Sequence, residues 1–258
     1  MIPAHPTRRP GSVLAWRSAA ASHVGCVRRQ NQDAFCSNPE QGIWCVADGM
    51  GGHTAGERAA RLLADTLALQ QAGLSLDVTA ARLQAAIERV NSILSTDSVL
   101  GSSGGICGST IVTVALTDNE GACLWAGDSR LYLCRAGQLR QISRDHSLVQ
   151  ELVEKRLIEP HEARLHPQRH VITRAVGANL RLELDQVRFS AQAGDQLLLC
   201  SDGLHCELDA DTIRQVLVQQ SDSENKVNQL IEHALACGAR DNVTVNLIEL
   251  MLHDGNTG

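Results

Sequence analysis

The stretch IWCVADGMGGHTAG, residues 43–56, decides how the chain is expected to fold. Its apolar half, residues 43–47, is typical of a buried strand, and that strand ends in an acid, Asp48. The glycines after Asp48 let the backbone come close to whatever the carboxylate holds, which suits a metal ion bound partly by main-chain oxygen. An ordinary Asp-Gly hairpin turn is the alternative. A helical pattern follows instead of a second strand, and this favours the metal-site interpretation.

Length and composition are those of one globular domain and disfavour several classes of function. The chain has 258 residues, 43% of them hydrophobic and 20% charged, which is enough for one domain with a full core. A net charge of −6 and an aromatic content of 2% disfavour a nucleic-acid partner, because phosphates select basic faces and bases stack on aromatic rings. Nine cysteines without a C-x-x-C pair lie mostly in apolar runs, and this favours a reducing cytoplasm over a disulfide framework or a zinc site. No apolar segment is long enough for a membrane span, so we expect no membrane partner.

The periodicity of the remaining chain predicts an α+β fold. Thr54 and Glu57 form a capping box that begins a helix. Runs rich in Thr, Val and Leu between residues 108 and 143 predict an antiparallel meander. Apolar residues recur at helical spacing in residues 54–69, 77–94, 209–219 and 224–237, and two more strands are expected at 186–190 and 196–201. These elements predict a four-layer α-β-β-α sandwich, in which two packed antiparallel sheets are flanked by helix pairs.

The predicted domain covers residues 19–252. Residues 1–18 are expected to form a flexible N-terminal extension, and residues 253–258 a C-terminal tail. An insertion of about residues 145–178 is rich in His and Arg and contains short helical patterns. Two interpretations of it stay open, a basic surface that binds a phosphorylated peptide and a solvated flap, since the charge alone does not decide between them.

Four acids share one local pattern at the ends of predicted strands. Each adjoins an apolar run on one side and Gly, Ser or Asn on the other; they are Asp48, Asp128, Asp202 and Asp241. Any one of them alone is more often a turn residue. Mg²⁺ and Mn²⁺ prefer carboxylate and carbonyl oxygens, and four strand ends with the same pattern therefore favour a site for hard divalent cations.

A polar cluster lies between Arg28 and Asp33. An arginine that binds phosphate oxygens with two hydrogen bonds, beside an acid that orients a water on a metal ion, would need this mixture of residues. A surface loop with a local ion pair explains the same residues, and the segment by itself favours the loop.

The chain resembles the PP2C-type metal-dependent protein phosphatases of the PPM family, in their bacterial form. The matching stretches are RRQNQDAF, VADGMGGHTAGE, CGSTIV, WAGDSRLYL, RDHSL, HPQRHVITRAVG, LLLCSDGL and ARDNVTV. They occur in the family order between about residues 20 and 250. Each tetrapeptide alone is weak evidence, but DGMGGH, GDSR, SDGL and DNVT together are specific.

The resemblance implies a centre of two metal ions with a possible third. Asp48 would bridge two Mn²⁺ or Mg²⁺ ions, and the Gly49 carbonyl would bind one of them. Asp202 and Asp241 would bind the other. Asp128 matches the acid that, together with Asp202, contributes to a third metal in bacterial relatives.

The resemblance also implies roles for residues around the metals. Arg28 would bind the substrate phosphate, and Asp33 would hold a metal-bound water. Ser201 and Asn242 would support the ligands from behind. Residues 145–178 would form the flap beside the active site.

The implied activity is hydrolysis of phosphoserine and phosphothreonine in proteins, by direct attack of a water that bridges the two ions. The chain would oppose a bacterial serine/threonine kinase in the cytoplasm, and we expect a monomer. Met50 stands where many eukaryotic members have a histidine that is proposed as general acid. His53 is a possible replacement for it. Gln32 replaces a glutamate of some members and could alter the water network.

Two other functions are considered. A non-catalytic module that binds phosphoproteins on the same fold is disfavoured because every implied metal ligand is present. A serine hydrolase is suggested by Gly101–Gly105, which fits G-x-S-x-G. That motif needs a strand before it and a helix after it. Here a predicted helix precedes it and a predicted strand follows, so a chance match is favoured.

Overall fold

Two antiparallel sheets form the centre of the fold, and helices cover both outer faces. The computed structural model describes residues 14–51, 54–100, 107–117, 119–163 and 165–252, with the backbone alone for 97–100. This arrangement confirms the predicted α-β-β-α sandwich. Among the described helices, none combines the length and the apolar character that crossing a membrane requires.

The strands, numbered in chain order, are β1 (Leu14–His23), β2 (Asp33–Asn38), β3 (Ile43–Met50), β4 (Gly108–Ser109), β5 (Ile111–Leu116), β6 (Glu120–Ala126), β7 (Arg130–Arg135), β8 (Gln138–Gln141), β9 (Asp185–Ser190), β10 (Gln196–Cys200) and β11 (Val243–Leu252). The helices are α1 (Thr54–Ala68), α2 (Leu76–Leu100), α3 (Leu148–Glu154), α4 (Pro160–Ala163), α5 (Asp202–His205), α6 (Ala210–Leu217) and α7 (Ser223–Ala236). The first sheet has the order β1-β11-β10-β7-β8, and the second has the order β2-β3-β5-β6-β9 with β4 beside β3.

Apolar side chains fill three layers between these elements. One cluster packs α1 and α2 on the second sheet, one lies between the sheets, and one packs α6 and α7 on the first sheet. All nine cysteines are free and six of them are buried, so most serve as small core residues, as predicted. Their burial leaves Cys26, Cys206 and Cys237 as the exposed thiols.

The prediction of a flexible extension over residues 1–18 is wrong for its last five residues. β1 begins at Leu14 and pairs along its whole length with β11. The Trp16 side chain is fully buried, meets the Trp44 ring edge-on at 5.7 Å and donates a hydrogen bond to the Pro39 carbonyl at 2.8 Å. The apolar run is too short to show a period, and its partner strand lies more than 200 residues away in the sequence. The remaining predicted extension, residues 1–13, and the predicted tail, residues 253–258, lie outside the described residues.

The predicted meander is divided between the two sheets. β5 and β6 belong to the second sheet, whereas β7 and β8 belong to the first. The chain crosses at Gly127–Ser129, where Gly127 has φ +112° and a Cβ on it would lie 2.6 Å from the Thr110 side chain. Only glycine fits this crossing, because the backbone is left-handed and the neighbouring strand is too close for a side chain. The crossing leaves Asp128 between the layers.

The segment predicted as a flap contains α3 and α4, as the sequence pattern predicts. Its base is held by two isolated β-bridges, between Ser147 and Ile172 and between Ser109 and Val176. The Ser147 hydroxyl also accepts the Gln150 amide and so caps α3. The segment is therefore fixed at its base on the same side of the molecule as the loop that precedes β5.

Candidate metal centre

A cleft of about 890 Å³ lies beside the flap segment, where strands of both sheets end. Six of the predicted site residues line it: Arg28, Asp48, Gly49, Asp128, Asp202 and Asp241. The other described ones, Asp33, Ser201 and Asn242, lie behind this lining. The fold therefore brings together residues that are more than 200 positions apart in the sequence.

Asp48 lies in β3, close to its C-terminal end, and its backbone is fixed by the neighbouring strand. Its amide donates to Thr110 Oγ1 at 3.0 Å. Its carbonyl accepts the Thr110 amide at 2.8 Å and the Ser109 hydroxyl at 2.9 Å. These bonds fix the main chain of Asp48 and so the point from which its carboxylate extends into the cleft.

Gly49 is required by close contacts between backbones. A Cβ at this position would lie 2.2 Å from the Gly56 carbonyl oxygen and 2.6 Å from that of Gln32. The Gly49 amide donates to the same Gln32 carbonyl at 3.1 Å. The absence of a side chain therefore allows the first turn of α1 and the loop before β2 to pack directly against the end of β3.

Asp33 is buried behind Asp48, its partner in the register of β2 and β3. Its Oδ2 accepts hydrogen bonds from Ser201 Oγ and Thr244 Oγ1, both at 2.7 Å. Its Oδ1 is buried without a hydrogen-bond partner among the described residues. Thr244 was not predicted as a site residue, and its place in β11, two residues after Asn242, is the one sequence signal for it.

Asn242 connects the start of β11 to the loop that carries Arg28. Its side-chain oxygen accepts the Gln32 amide at 2.8 Å. Its side-chain nitrogen donates to the Val24 carbonyl at 2.9 Å and to the Gln30 carbonyl at 3.0 Å. These three bonds hold the loop in place, which is the supporting position that the resemblance implies.

Arg28 forms a two-pronged ion pair with Asp241. Its Nε and Nη2 donate to the two carboxylate oxygens at 2.9 and 2.6 Å. The pair lies at the rim of the cleft, with 55% of the Arg28 side chain exposed. The Asp241 carboxylate raises the pKa of Arg28, so the guanidinium stays charged.

Asp202 begins α5, a short helix that the sequence pattern did not predict, and Ser201 alone separates it from β10. Its Oδ1 is buried and has no hydrogen-bond partner within the described ranges. Burial and the Asp241 charge raise the pKa of Asp202 to about 6, although a hydrogen bond with Asp48 lowers it. The protonated form of Asp202 is therefore favoured more than that of an exposed aspartate.

Asp128 is buried at the crossing between the sheets. Its carbonyl accepts Nε2–H of His205 at 3.0 Å, and burial lowers the pKa of that imidazole to about 3, so His205 is neutral. Beside it, Arg130 forms a bidentate pair with Asp145, with its Nη2 and Nε at 2.6 and 2.8 Å from the two carboxylate oxygens. His205 was not predicted, and the pattern around SDGL carries no signal of its buried contact.

The family described as Protein phosphatase 2C matches residues 15–177. This chain belongs to that family. The matched range contains Asp33, Asp48 and Asp128 and ends before Asp202 and Asp241.

PP2C proteins of known structure have the same fold. PppA, described as a key regulatory component of T6SS in Pseudomonas aeruginosa, is 43% identical with a TM-score of 0.85, over 92% of this chain and 98% of that one. A PstP catalytic domain in complex with 2 manganese ions is 35% identical with a TM-score of 0.82, over 92% of this chain and 99% of that one. The serine/threonine protein phosphatase PstP of Mycobacterium tuberculosis is 36% identical over 93% of this chain. The chain spans about half the length of that curated relative, 46%.

The carboxylates of this PP2C chain fit a hard divalent cation. Burial first, and then the charge of Asp33, raises the pKa of Asp48 well above its usual range. Burial and the charge of Asp202 also raise the pKa of Asp128 well above its usual range. Burial raises the pKa of Asp33 to about 7. Such crowding of acids is unfavourable unless protons or cations neutralise it. The unpartnered oxygens of Asp33 and Asp202 supply lone pairs of the kind that Mg²⁺ and Mn²⁺ bind.

Two sequence hypotheses fall on residues outside the described ranges. His53, the possible general acid, is one of them, and the serine motif at residues 101–105 is the other. Met50 does line the cleft. Its thioether cannot donate a proton, so the place directly after Asp48 and Gly49 offers no acid.

The metal-free protein is expected to become less stable, relative to an Asp33→Asn variant, as pH rises from 3.8 to about 7. The pKa of Asp33 is raised on folding, so in this range the folded state keeps a proton that the unfolded state releases. The free energy of unfolding therefore falls with rising pH. Thermal melts in EDTA at several pH values measure this. A wild-type-minus-variant difference that stays constant with pH would contradict it, and saturating Mn²⁺ should flatten the wild-type profile.

Proposed function

We propose that this chain is a metal-dependent phosphatase that hydrolyses phosphoserine and phosphothreonine in proteins. The observation that carries this proposal is the cleft in which carboxylates from both sheets lie beside a charged arginine, and in which Asp202 has a buried oxygen without a hydrogen-bond partner among the described residues. The PstP domain in complex with 2 manganese ions supports a divalent metal at this place.

Asp48, Gly49, Asp202 and Asp241 would hold two Mn²⁺ or Mg²⁺ ions, and Asp128 with Asp202 a third. Bound there, a pair of ions would supply a bridging water of hydroxide-like character near neutral pH and positive charge for the phosphate oxygens. The reaction consumes one water and releases inorganic phosphate and the serine or threonine hydroxyl. No covalent intermediate with the protein is needed.

The chain's own residues would bind and orient the reactants. The guanidinium of Arg28 matches the geometry of two phosphate oxygens. When the Asp241 carboxylate serves as a metal ligand it is no longer available to Arg28, and the arginine is left for the substrate. Asp33, fixed by Ser201 and Thr244 through one oxygen, has the other oxygen left to accept a hydrogen bond from a water. His53 is the proposed general acid for the leaving alkoxide.

The substrates would be phosphoproteins made by a serine/threonine kinase, and the chain would act as a monomer in the bacterial cytoplasm. The named relatives support this, because PstP is a serine/threonine protein phosphatase and PppA is described as a regulatory component of a secretion system. A role of this chain in controlling secretion rests on that likeness.

Release of phosphate from a phosphothreonine peptide is expected to require Mn²⁺ and to stop in EDTA, because the carboxylates act only through a bound cation. Asp202→Asn is expected to lower the rate more than about 100-fold, since loss of even an outer partner of a metal ligand costs about 10- to 100-fold. Asp211→Asn, an exposed acid on α6, is the control and should keep the wild-type rate. Phosphate release is measured with a colorimetric assay.

Two outcomes would contradict the proposal. Protein that binds Mn²⁺ but is inert on several phosphopeptides would favour the phosphoprotein-binding module. Activity that survives EDTA and is lost to a serine-directed reagent would favour the serine hydrolase.

A further inference from the structure

Three side chains with different donor atoms meet at one edge of the cleft. Ligand atoms of His170, Asp202 and Cys206 all lie within 4.8 Å of one another. His170 Nδ1 is 4.0 Å from Asp202 Oδ2. Among the described residues, no other group of three His, Cys, Asp or Glu side chains has its ligand atoms this close together. The group combines nitrogen, oxygen and sulfur, unlike the oxygen-only centre described above.

We propose that His170, Asp202 and Cys206 form a second kind of metal site, which takes a borderline-soft divalent cation such as Zn²⁺. Imidazole and thiolate are ligands that Zn²⁺ prefers, whereas Mg²⁺ and Mn²⁺ prefer oxygen. Three protein ligands leave the fourth tetrahedral position to a water. On binding, the Cys206 thiol loses its proton to the solvent, and its sulfur donates an electron pair to the metal.

The positions of the three residues allow the contraction that zinc requires. Zinc bonds of about 2.0–2.3 Å draw ligand atoms closer together than they are in the metal-free chain. His170 lies in the flap segment and is 55% exposed, so its ring can turn toward the other two ligands. Asp202 and Cys206 are separated by one helical turn, at the start and at the C-cap of α5, and their spacing is fixed by that helix.

The site shares one ligand with the candidate metal centre. Asp202 is proposed above to bind the catalytic cations, and a Zn²⁺ ion on Asp202, His170 and Cys206 would compete for it. The same ion would join the flap segment to α5 across the edge of the cleft. Zn²⁺ is therefore an inhibitor whose action depends on Cys206. Inhibition rests on the proposed function, but the binding does not.

Cobalt tests the binding without any activity measurement. Metal-free, reduced protein is titrated with Co²⁺, and the expected signal is a thiolate-to-cobalt charge-transfer band in the near ultraviolet, which Zn²⁺ then removes. Cys206→Ser is expected to abolish the band, and His170→Ala to weaken Co²⁺ binding about 10-fold or more. Cys237→Ser, another exposed thiol, and His161→Ala, an exposed flap histidine, are matched controls that should behave as wild type. A wild-type protein without the band, or a band that persists in Cys206→Ser, would overturn the site.

Inhibition is measured separately with the phosphothreonine peptide in saturating Mn²⁺. The concentration of Zn²⁺ that halves the rate is expected to rise at least about 10-fold in Cys206→Ser, since one ligand is lost. An equal Zn²⁺ sensitivity of the two proteins would refute the inhibitory role. If the cobalt band appears as expected but the protein is inert on phosphopeptides, the proposed function fails while the zinc site stands.

Discussion

Replacing Asp48 with asparagine is expected to lower Mn²⁺-dependent phosphate release more than about 100-fold, and to raise the melting temperature of the metal-free protein. The first effect follows from the loss of the carboxylate that is proposed to bridge two ions. The second follows from the raised pKa of Asp48, because a neutral group is preferred among the surrounding acids when no cation is present. An asparagine amide can also donate the hydrogen bond that Asp48 shares with Asp202.

The two effects of Asp48→Asn are measured by the phosphopeptide assay and by thermal melts in EDTA. Asp145→Asn is the control of opposite sign. Burial raises the pKa of Asp145, but its ion pair with Arg130 outweighs burial and lowers the pKa overall. The asparagine breaks this mostly buried pair, which costs about 3 kcal/mol of stability. If Asp48→Asn kept its activity, or lowered the metal-free melting temperature as Asp145→Asn does, the assignment of Asp48 to a metal centre would be wrong.

Replacing Trp16 with alanine is expected to reduce the free energy of unfolding by about 3–5 kcal/mol, as is usual for deleting a large buried aromatic side chain. The side chain is fully buried between the sheets, packs against Trp44 and donates a hydrogen bond to Pro39. Urea denaturation of the wild type and the variant measures the loss.

Trp44→Phe is the matched control for Trp16→Ala. Trp44 is equally buried, but its indole nitrogen has no hydrogen-bond partner within the described part of the chain. The smaller phenylalanine ring loses packing, but removing an unsatisfied buried donor offsets part of that loss. We therefore expect the free energy of unfolding to fall by less than about 1.5 kcal/mol. A loss of less than about 1.5 kcal/mol for Trp16→Ala as well would mean that residues 14–18 are only weakly docked, in line with the flexible extension predicted from the sequence.

The sequence predicts those features that depend on local pattern. The apolar run before Asp48, the capping box at Thr54 and the repeated strand-then-acid pattern together predict the layers and the acids of the cleft. The family resemblance adds Arg28 and Asp33, whose local pattern alone favoured a surface loop.

The features that the sequence does not predict depend on contacts between distant segments. Thr244 reaches Asp33 across 211 positions, and no periodicity reports such a hydrogen bond. The division of the meander at Gly127 requires knowledge of which strands pair, which a single sequence does not contain. The proximity of His170 to Cys206 likewise depends on how the flap segment lies against α5.

The candidate ligands are divided between the two layers of the sandwich. Asp33 and Asp48 belong to the second sheet, Asp202 and Asp241 adjoin strands of the first, and Asp128 lies where the chain passes between them. The spacing of the ligands is therefore set by the thickness of the core between the sheets. Any core substitution that brings the layers closer together or separates them would change the distances between the candidate ligands. With the proposed ligands, metal affinity would report the alignment of the two sheets, and substitutions in the hydrophobic interior would change metal preference while every ligand stays in place.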